Sequence, residues 1–428
     1  MTKRLRSIPA LALASLAVSS TVSAIDASGI AIHGSLSATG AYSDKYDYYG
    51  ETADHFDVIA QEVTINGTYR FENGLRVAAQ VYAYELADYS AVTLDFATLD
   101  YAFSEHLGVR AGRNKLPQGL YGEVQDLDQI RTFASLPLNF YPRALRSLSA
   151  GYNGAGLYGT VSLAKAGSLE YQAFFGWMDN IDGDAPYTRG LADLTVPESV
   201  DLDQVYGGNL IWNLPVEGLK LAYTYNYLPG VKLASKVQTR AALTEMGSSY
   251  AAVAAMIDAG YGAGTWDYSG LFAGSPGLSE VDVTVQVFSA EYTHEKWIAA
   301  AEYKTMKNSG TTSLLAAPPF RTVNASVSSS EEHWYVQTTY QATDKIGLGV
   351  YYAQSDFDPD NKNASDDKFT SINDLAAAAS YALTSNWLFK VEAHALDGLG
   401  KLNIAGDHNK GATDASWNYF VVKATFSF

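Results

Sequence analysis

The sequence predicts an all-β chain closed into a transmembrane antiparallel β-barrel of about sixteen strands, and three observations predict it. Apolar residues recur at every second position over most of the chain, the connections between these runs alternate between short and long, and the faces opposite the apolar ones carry charge. Alternation with period two marks a strand with one face in an apolar environment and the other in water. Seven short turns and eight mostly longer connections join sixteen such runs, an even number that returns both chain ends to the short-turn side. Membrane-spanning barrels have this asymmetry. The chain has 428 residues, no Cys and 29 Lys+Arg against 46 Asp+Glu, a formal charge of -17. The missing Cys excludes disulfide scaffolds and thiolate chemistry, and the negative charge argues against nucleic acid as a partner. No linker or composition break divides the chain, so a single unit is expected.

Residues 1–24 read as a secretory signal peptide. Lys3, Arg4 and Arg6 precede an apolar run from Ile8 to Val18, and Val22-Ser23-Ala24 puts small residues where a signal peptidase reads. Cleavage after Ala24 removes three cations and leaves 26 Lys+Arg against 46 Asp+Glu, a charge of -20. Residues 25–428 are then the barrel, with no plug domain expected before the first strand at Ile30. Ile30, Ile32, Leu36 and Ala38 share one face of that strand, and Val63, Ile65, Tyr69 and Phe71 continue the pattern. Leu75 to Ala83, Leu169 to Trp177, Leu219 to Tyr227, Trp297 to Tyr303, Trp334 to Tyr340, Ile346 to Tyr352 and Trp387 to Ala393 repeat it, whereas Val283, Val285 and Val287 leave their face undecided. Short turns fall at 72–74, 104–106, 166–168, 215–218, 294–296, 343–345 and 384–386. Longer connections fall near 44–56, 117–153, 180–202, 229–280, 308–331, 356–370 and 398–414, with a tight one near Asp88–Ala91. The 229–280 connection is Ala-rich over Thr239–Ile257; a lid over the mouth and a partner-binding surface loop both stay open for it.

A soluble β-sandwich alternates as well, but its buried face is rich in Leu, Ile and Val. Here the apolar faces carry Ala and Gly at mid-strand and Tyr, Trp and Phe near the ends, as a lipid-facing wall does. The opposite faces carry Glu62, Arg70, Arg76, Glu170, Lys220, Glu302, Lys304, Lys390 and Glu392, the candidates to line a water-filled lumen. A dry core would reject those charges.

Phe420, Val422, Ala424, Phe426 and Phe428 alternate along the last strand, and the chain ends on an aromatic. This resembles the C-terminal assembly signal of Gram-negative outer-membrane proteins, with Phe426 and Phe428 as its residues; the resemblance implies recognition by the barrel-assembly machinery. After the strand Leu107–Ala111 comes Gly112-Arg113-Asn114-Lys115-Leu116-Pro117-Gln118-Gly119-Leu120-Tyr121-Gly122-Glu123, followed by Asp126, Asp128, Arg131 and Leu136-Pro137-Leu138-Asn139-Phe140-Tyr141-Pro142-Arg143. That stretch resembles the third-loop region of sixteen-stranded Gram-negative porins. The resemblance implies that residues 117–153 fold into the barrel and narrow it, with Glu123, Asp126, Asp128, Arg131, Arg143 and Arg146 as constriction candidates. It further implies a homotrimer in outer-membrane lipid. A loop of roughly 37 residues with its own apolar content is uncommon unless packed or functional.

The seven His are scattered without the spacing of a zinc site, Gly-x-Ser-x-Gly is missing, and no Gly-rich phosphate loop precedes a helix. No enzyme activity, metal or cofactor is expected. The function expected is passive diffusion of small hydrophilic solutes and ions, with weak cation preference from the acidic balance. A sugar- or anion-selective channel and a surface adhesin barrel are the alternatives.

Overall fold

The structure, a computed structural model, describes residues 25–27, 29–86, 89–141, 151–182, 195–237, 276–314, 323–359, 367–400, 402, 409 and 412–428. The signal-peptide expectation for residues 1–24 lies outside them. Sixteen antiparallel strands form a closed ring: β1 (Ile30–Ser43), β2 (Phe56–Arg70), β3 (Leu75–Leu86), β4 (Tyr89–Ala102), β5 (Gly108–Lys115), β6 (Gly151–Ser162), β7 (Ser168–Trp177), β8 (Gln204–Asn213), β9 (Leu219–Val237), β10 (Pro276–His294), β11 (Trp297–Leu314), β12 (Val323–Gln341), β13 (Ile346–Asp356), β14 (Ser371–Ala382), β15 (Trp387–Gly398) and β16 (Ser416–Ser427). Each pairs with its sequence neighbours. The ring closes where Phe426 of β16 faces Leu36 of β1 and where Gly34 and Phe428 exchange two backbone hydrogen bonds of 3.0 Å. The barrel is all-β, with short turns at one end and long loops at the other. Three short strands complete the 19-stranded sheet; one of them, Thr195–Asp201, lies along the loop-end extension of β9.

Ile65, Val81, Leu99, Leu157, Phe288, Val336, Val391 and Val422 point outward and are exposed, as a wall facing hydrocarbon requires. Aromatic pairs ring both rims of that band. Tyr69 meets Phe71, Trp297 meets Tyr340 and Trp387 meets Phe426 at the short-turn rim. Tyr206 meets Tyr227 and Trp334 meets Tyr352 at the loop rim. These amphipathic rings suit the boundary between headgroups and acyl chains.

Strand ends differ from the sequence expectation in three places. β5 runs on through Gly112-Arg113-Asn114-Lys115, past the expected strand end at Ala111 and up to the expected loop start near 117. The ladder between β9 and β10 runs through a bulge at Leu228/Val231, so Pro229-Gly230 interrupts a strand instead of ending it; β9 reaches Val237 and β10 starts at Pro276. β11 likewise runs to Leu314, and β12 starts at Val323. Pro and Gly at a bulge cost a strand little, which is why a reading by turn residues misplaces these ends. Residues 238–275 of the expected 229–280 connection lie outside those described. The wall is therefore uneven, with β5, β7 and β8 at 8 to 10 residues and β9 to β12 at 18 to 19.

Gly112 sits at φ 111°, and a Cβ there would meet the Ala97 carbonyl oxygen at 2.2 Å. Replacing Gly112 by Val is expected to cost roughly 1–3 kcal/mol of strain. The measurement is a lower temperature for the gel-mobility shift of the folded barrel, with strand content by circular dichroism unchanged.

Candidate functional site

Beyond β5 the chain turns into the barrel, and its polar groups find their partners on the inner wall. At the root, Lys115 Nζ reaches Asp126 at 2.6 Å and Asp95 at 3.2 Å, while Gln80 Nε2 donates to Asp95 at 2.8 Å and Asp126 at 2.5 Å. Asp95 is the extra residue of a β-bulge opposite Gln80/Val81, and the bulge turns it inward. On the first arm, Asn226 Nδ2 donates to Pro117 O at 2.8 Å, Thr224 Oγ1 accepts from Gly119 N, and Glu302 accepts from Leu120 N at 2.8 Å. Glu302 also accepts from Ser289, Tyr141 and Tyr335, each at 2.5 Å. Four donors replace the water that a buried carboxylate loses. Lys304 Nζ beside it donates to Phe140 O and lies 4.7 Å from the centre of the Phe140 ring.

At the tip, Asp128 is 3% exposed and sits among cations: Lys423 Nζ at 2.8 Å, Arg131 Nη2 at 2.8 Å and Lys390 Nζ at 3.7 Å, with Thr425 donating at 2.8 Å. Lys390 also donates to Asp128 O and Phe133 O. Burial alone would raise the Asp128 pKa, but Lys423, Arg131 and Lys390 outweigh it and hold this carboxyl far below the usual range. On the second arm, Glu392 accepts from Ala134 N at 2.7 Å and Ser135 N at 3.1 Å. His394 stands between Glu392 and Asp374, at 3.2 and 3.0 Å. Phe133, Leu136, Phe140 and Tyr141 pack on Val287, Tyr335, Tyr351, Ala376 and Ala378. Gly349 admits Phe133 to the wall, since a Cβ there would lie 2.8 Å from the ring.

The loop is thus folded into the lumen, and the sequence candidates divide by position. Glu123 lies 3.9 Å from Arg110, whose Nε donates to Asp100 at 2.9 Å, and Arg76 shares Asp100 at 3.3 Å. Asp126 and Asp128, candidates to line the constriction, turn their carboxylates onto cations of the wall, whose charge offsets the cost of burying them. Arg131 binds Gln125 O and Asp128; Arg143 and Arg146 lie outside the described residues. On the wall, Glu302, Lys304, Lys390 and Glu392 hold the loop directly. Glu62 takes Lys423 at 3.1 Å and Tyr82 OH at 2.7 Å. Lys220 pairs with Glu291 at 2.9 Å, Glu170 accepts from Asn213, and Arg70 ends β2 exposed at the short-turn rim. Phe426 packs on Trp387 with ring centres 5.0 Å apart.

The residues that sequence reading passes over are Asp95, Arg110, His394, Asp374 and Lys423. Alternation places Lys423 on the polar face of β16, yet nothing in the sequence tells that Asp128 would reach it. The face of Val285 and Val287 is now settled: both point into the lumen and pack against the loop. Between loop and wall a cavity of about 40 Å³ is lined by Glu62, Tyr82, Tyr84, Gln125, Arg131 and Tyr141.

No protein-family model matches the sequence, and no curated protein matches it. Solved structures do. Outer-membrane expressed OmpT of Vibrio cholerae aligns with a TM-score of 0.52 at 12% identity over 95% of this chain and 100% of that one. The anion-selective porin from Comamonas acidovorans gives 0.51 at 10% identity over 93% and 99%. The fold is that of an outer-membrane porin. OmpF of Salmonella typhi, solved in complex with daunomycin, gives 0.50 at 15% identity over 93% and 97%. At such identities the shared property is the porin barrel itself.

Glu302→Ala leaves four donors, from both arms of the loop and from the wall, without their acceptor. Expected are a loss of roughly 3 kcal/mol or more in loop anchoring and a larger, noisier single-channel conductance, read in planar bilayers. Glu123 supplies a pH test. Partial desolvation between loop and wall, with 35% of its side chain still exposed, raises its pKa above that of an ordinary glutamate, against the pull of Arg110 and Lys115. The folded state therefore holds this proton more tightly than the unfolded chain, so acidification through that window strengthens the loop and removes one negative charge. Cation preference, measured by reversal potential, is expected to start falling at a higher pH in the parent than in Glu123→Gln.

Proposed function

We propose that the chain is an outer-membrane porin through which small hydrophilic solutes and ions diffuse passively, without a catalytic step and with weak cation preference. One observation carries the reading: a closed sixteen-stranded wall, apolar outside and charged inside, holds a loop against its inner face by side chains of most of the strands around the ring. A barrel of this size encloses a wide aqueous channel unless something enters it, so the inserted loop is the element that sets flow. The acidic balance supports cation preference, because carboxylates near a narrow passage raise the local cation concentration. Glu123 of the loop keeps 35% of its side chain exposed, and Asp179, paired with Arg113 of β5, keeps 60%.

The same reading includes a homotrimer exported by a cleaved signal peptide and assembled by the outer-membrane machinery. Supporting the trimer, the outer face of β2 and β4 exposes Phe56 at 57%, Val58 at 48%, Val92 at 74% and Leu94 at 47%, an apolar surface suited to a second copy as well as to lipid.

Single-channel recording of purified protein in planar bilayers tests the whole reading. Open-channel currents are expected, and reversal potentials in a salt gradient of the sign that marks cation preference; clear anion selectivity overturns that part. Deleting Asp126–Phe140 is expected to raise unitary conductance severalfold with the barrel still resistant to unfolding in detergent. A deletion variant that conducts like its parent removes the loop from the role given to it.

A further inference from the structure

Three cations around one carboxylate make the tip of the inserted loop unlike its other anchors. Lys390, Lys423 and Arg131 converge on Asp128, with the Thr425 hydroxyl as a further donor, and the side chains are 1%, 4% and 10% exposed. Glu62 takes part of Lys423 at 3.1 Å, which leaves three positive against two negative charges in direct contact. Arg131 Nε is buried without a hydrogen-bond partner. Ammonium, guanidinium and hydroxyl donors converging on a planar or tetrahedral cluster of oxygens are the chemistry by which proteins hold oxyanions. Here the oxygens come from the protein's own loop. That loop segment is a single short turn, Asp128–Ile130, with Leu127 before it at 41% and Ile130 at its end at 52% exposure, so the side of the tip away from the wall faces open water.

We propose that Arg131, Lys390, Lys423 and Thr425 form an oxyanion-binding site in the channel and that Asp128 is its built-in occupant, displaced when a small oxyanion such as inorganic phosphate enters. The inference rests on the channel reading and adds a ligand to it. With Asp128 in place the cations are largely neutralised, and the acidic surroundings govern the permeation of simple salts. When a phosphate takes the position, the Asp128 side chain turns off the cluster and the ligand takes over its donors. Asp128 therefore lowers the site's affinity by competition, and removing its charge exposes a stronger site.

The test is phosphate block of chloride-salt current through the full-length protein in planar bilayers at fixed ionic strength, with folding checked by gel mobility and phosphate binding read separately by phosphorus NMR line broadening in micelles. Asp128→Asn is expected to lower the blocking phosphate concentration at least tenfold relative to the parent, and adding Lys423→Gln to abolish the gain. An Asp128→Asn channel blocked no more strongly than the parent overturns the proposal. If Asp128→Asn does not fold, the parent against Lys423→Gln decides: a tenfold weaker block in Lys423→Gln supports the site, and an equal block overturns it. Protein that passes no current in any form, yet broadens the phosphate signal in a Lys423-dependent way, would remove the channel reading and keep the site.

Discussion

Everything in this molecule depends on the requirement that a backbone crossing hydrocarbon satisfy each N–H and C=O within the protein. Water is absent there and an open sheet edge has no partner, so β16 must meet β1. Once the ring is closed, the pleat assigns alternate residues to lipid and to lumen. The apolar and aromatic outer face follows, and so does the possibility of lysines, glutamates and histidines at the same depth inside.

Those inner charges then act on the loop. An inserted loop brings backbone groups and carboxylates into a space partly cut off from bulk water, where each unpaired group is costly. The wall answers with matched partners: Asn226 for Pro117, Glu302 for Leu120, Lys304 for Phe140, Lys423 for Asp128 and Glu392 for Ala134 and Ser135. Where the loop presents rings instead of polar groups, the wall's inner positions become apolar, as at Val287, Tyr335, Tyr351 and Ala376. Residues that break the usual polar-in rule of a water-filled barrel are thus the imprint of the loop. A second cluster, with Tyr46, Tyr48, Leu399 and Trp417 packed on Ala134 and Leu138, ties loops at the long-loop end to the back of the inserted segment.

The sequence by itself determined the barrel, its strand number and the end that carries the long loops. These are local facts, because period-two patterning and turn residues act over a few positions. Strand ends were less legible: Pro229-Gly230 reads as a loop, and only pairing with β10 keeps it in a strand. The partners of the loop were not legible at all. Lys423 and Asp128 are 295 residues apart, Glu392 and Ala134 are 258 apart, and nothing local couples them. Ring closure and insertion of the loop bring them together, so tertiary structure alone decided that Asp126 and Asp128 are held by wall cations while Glu123 stays partly open to water.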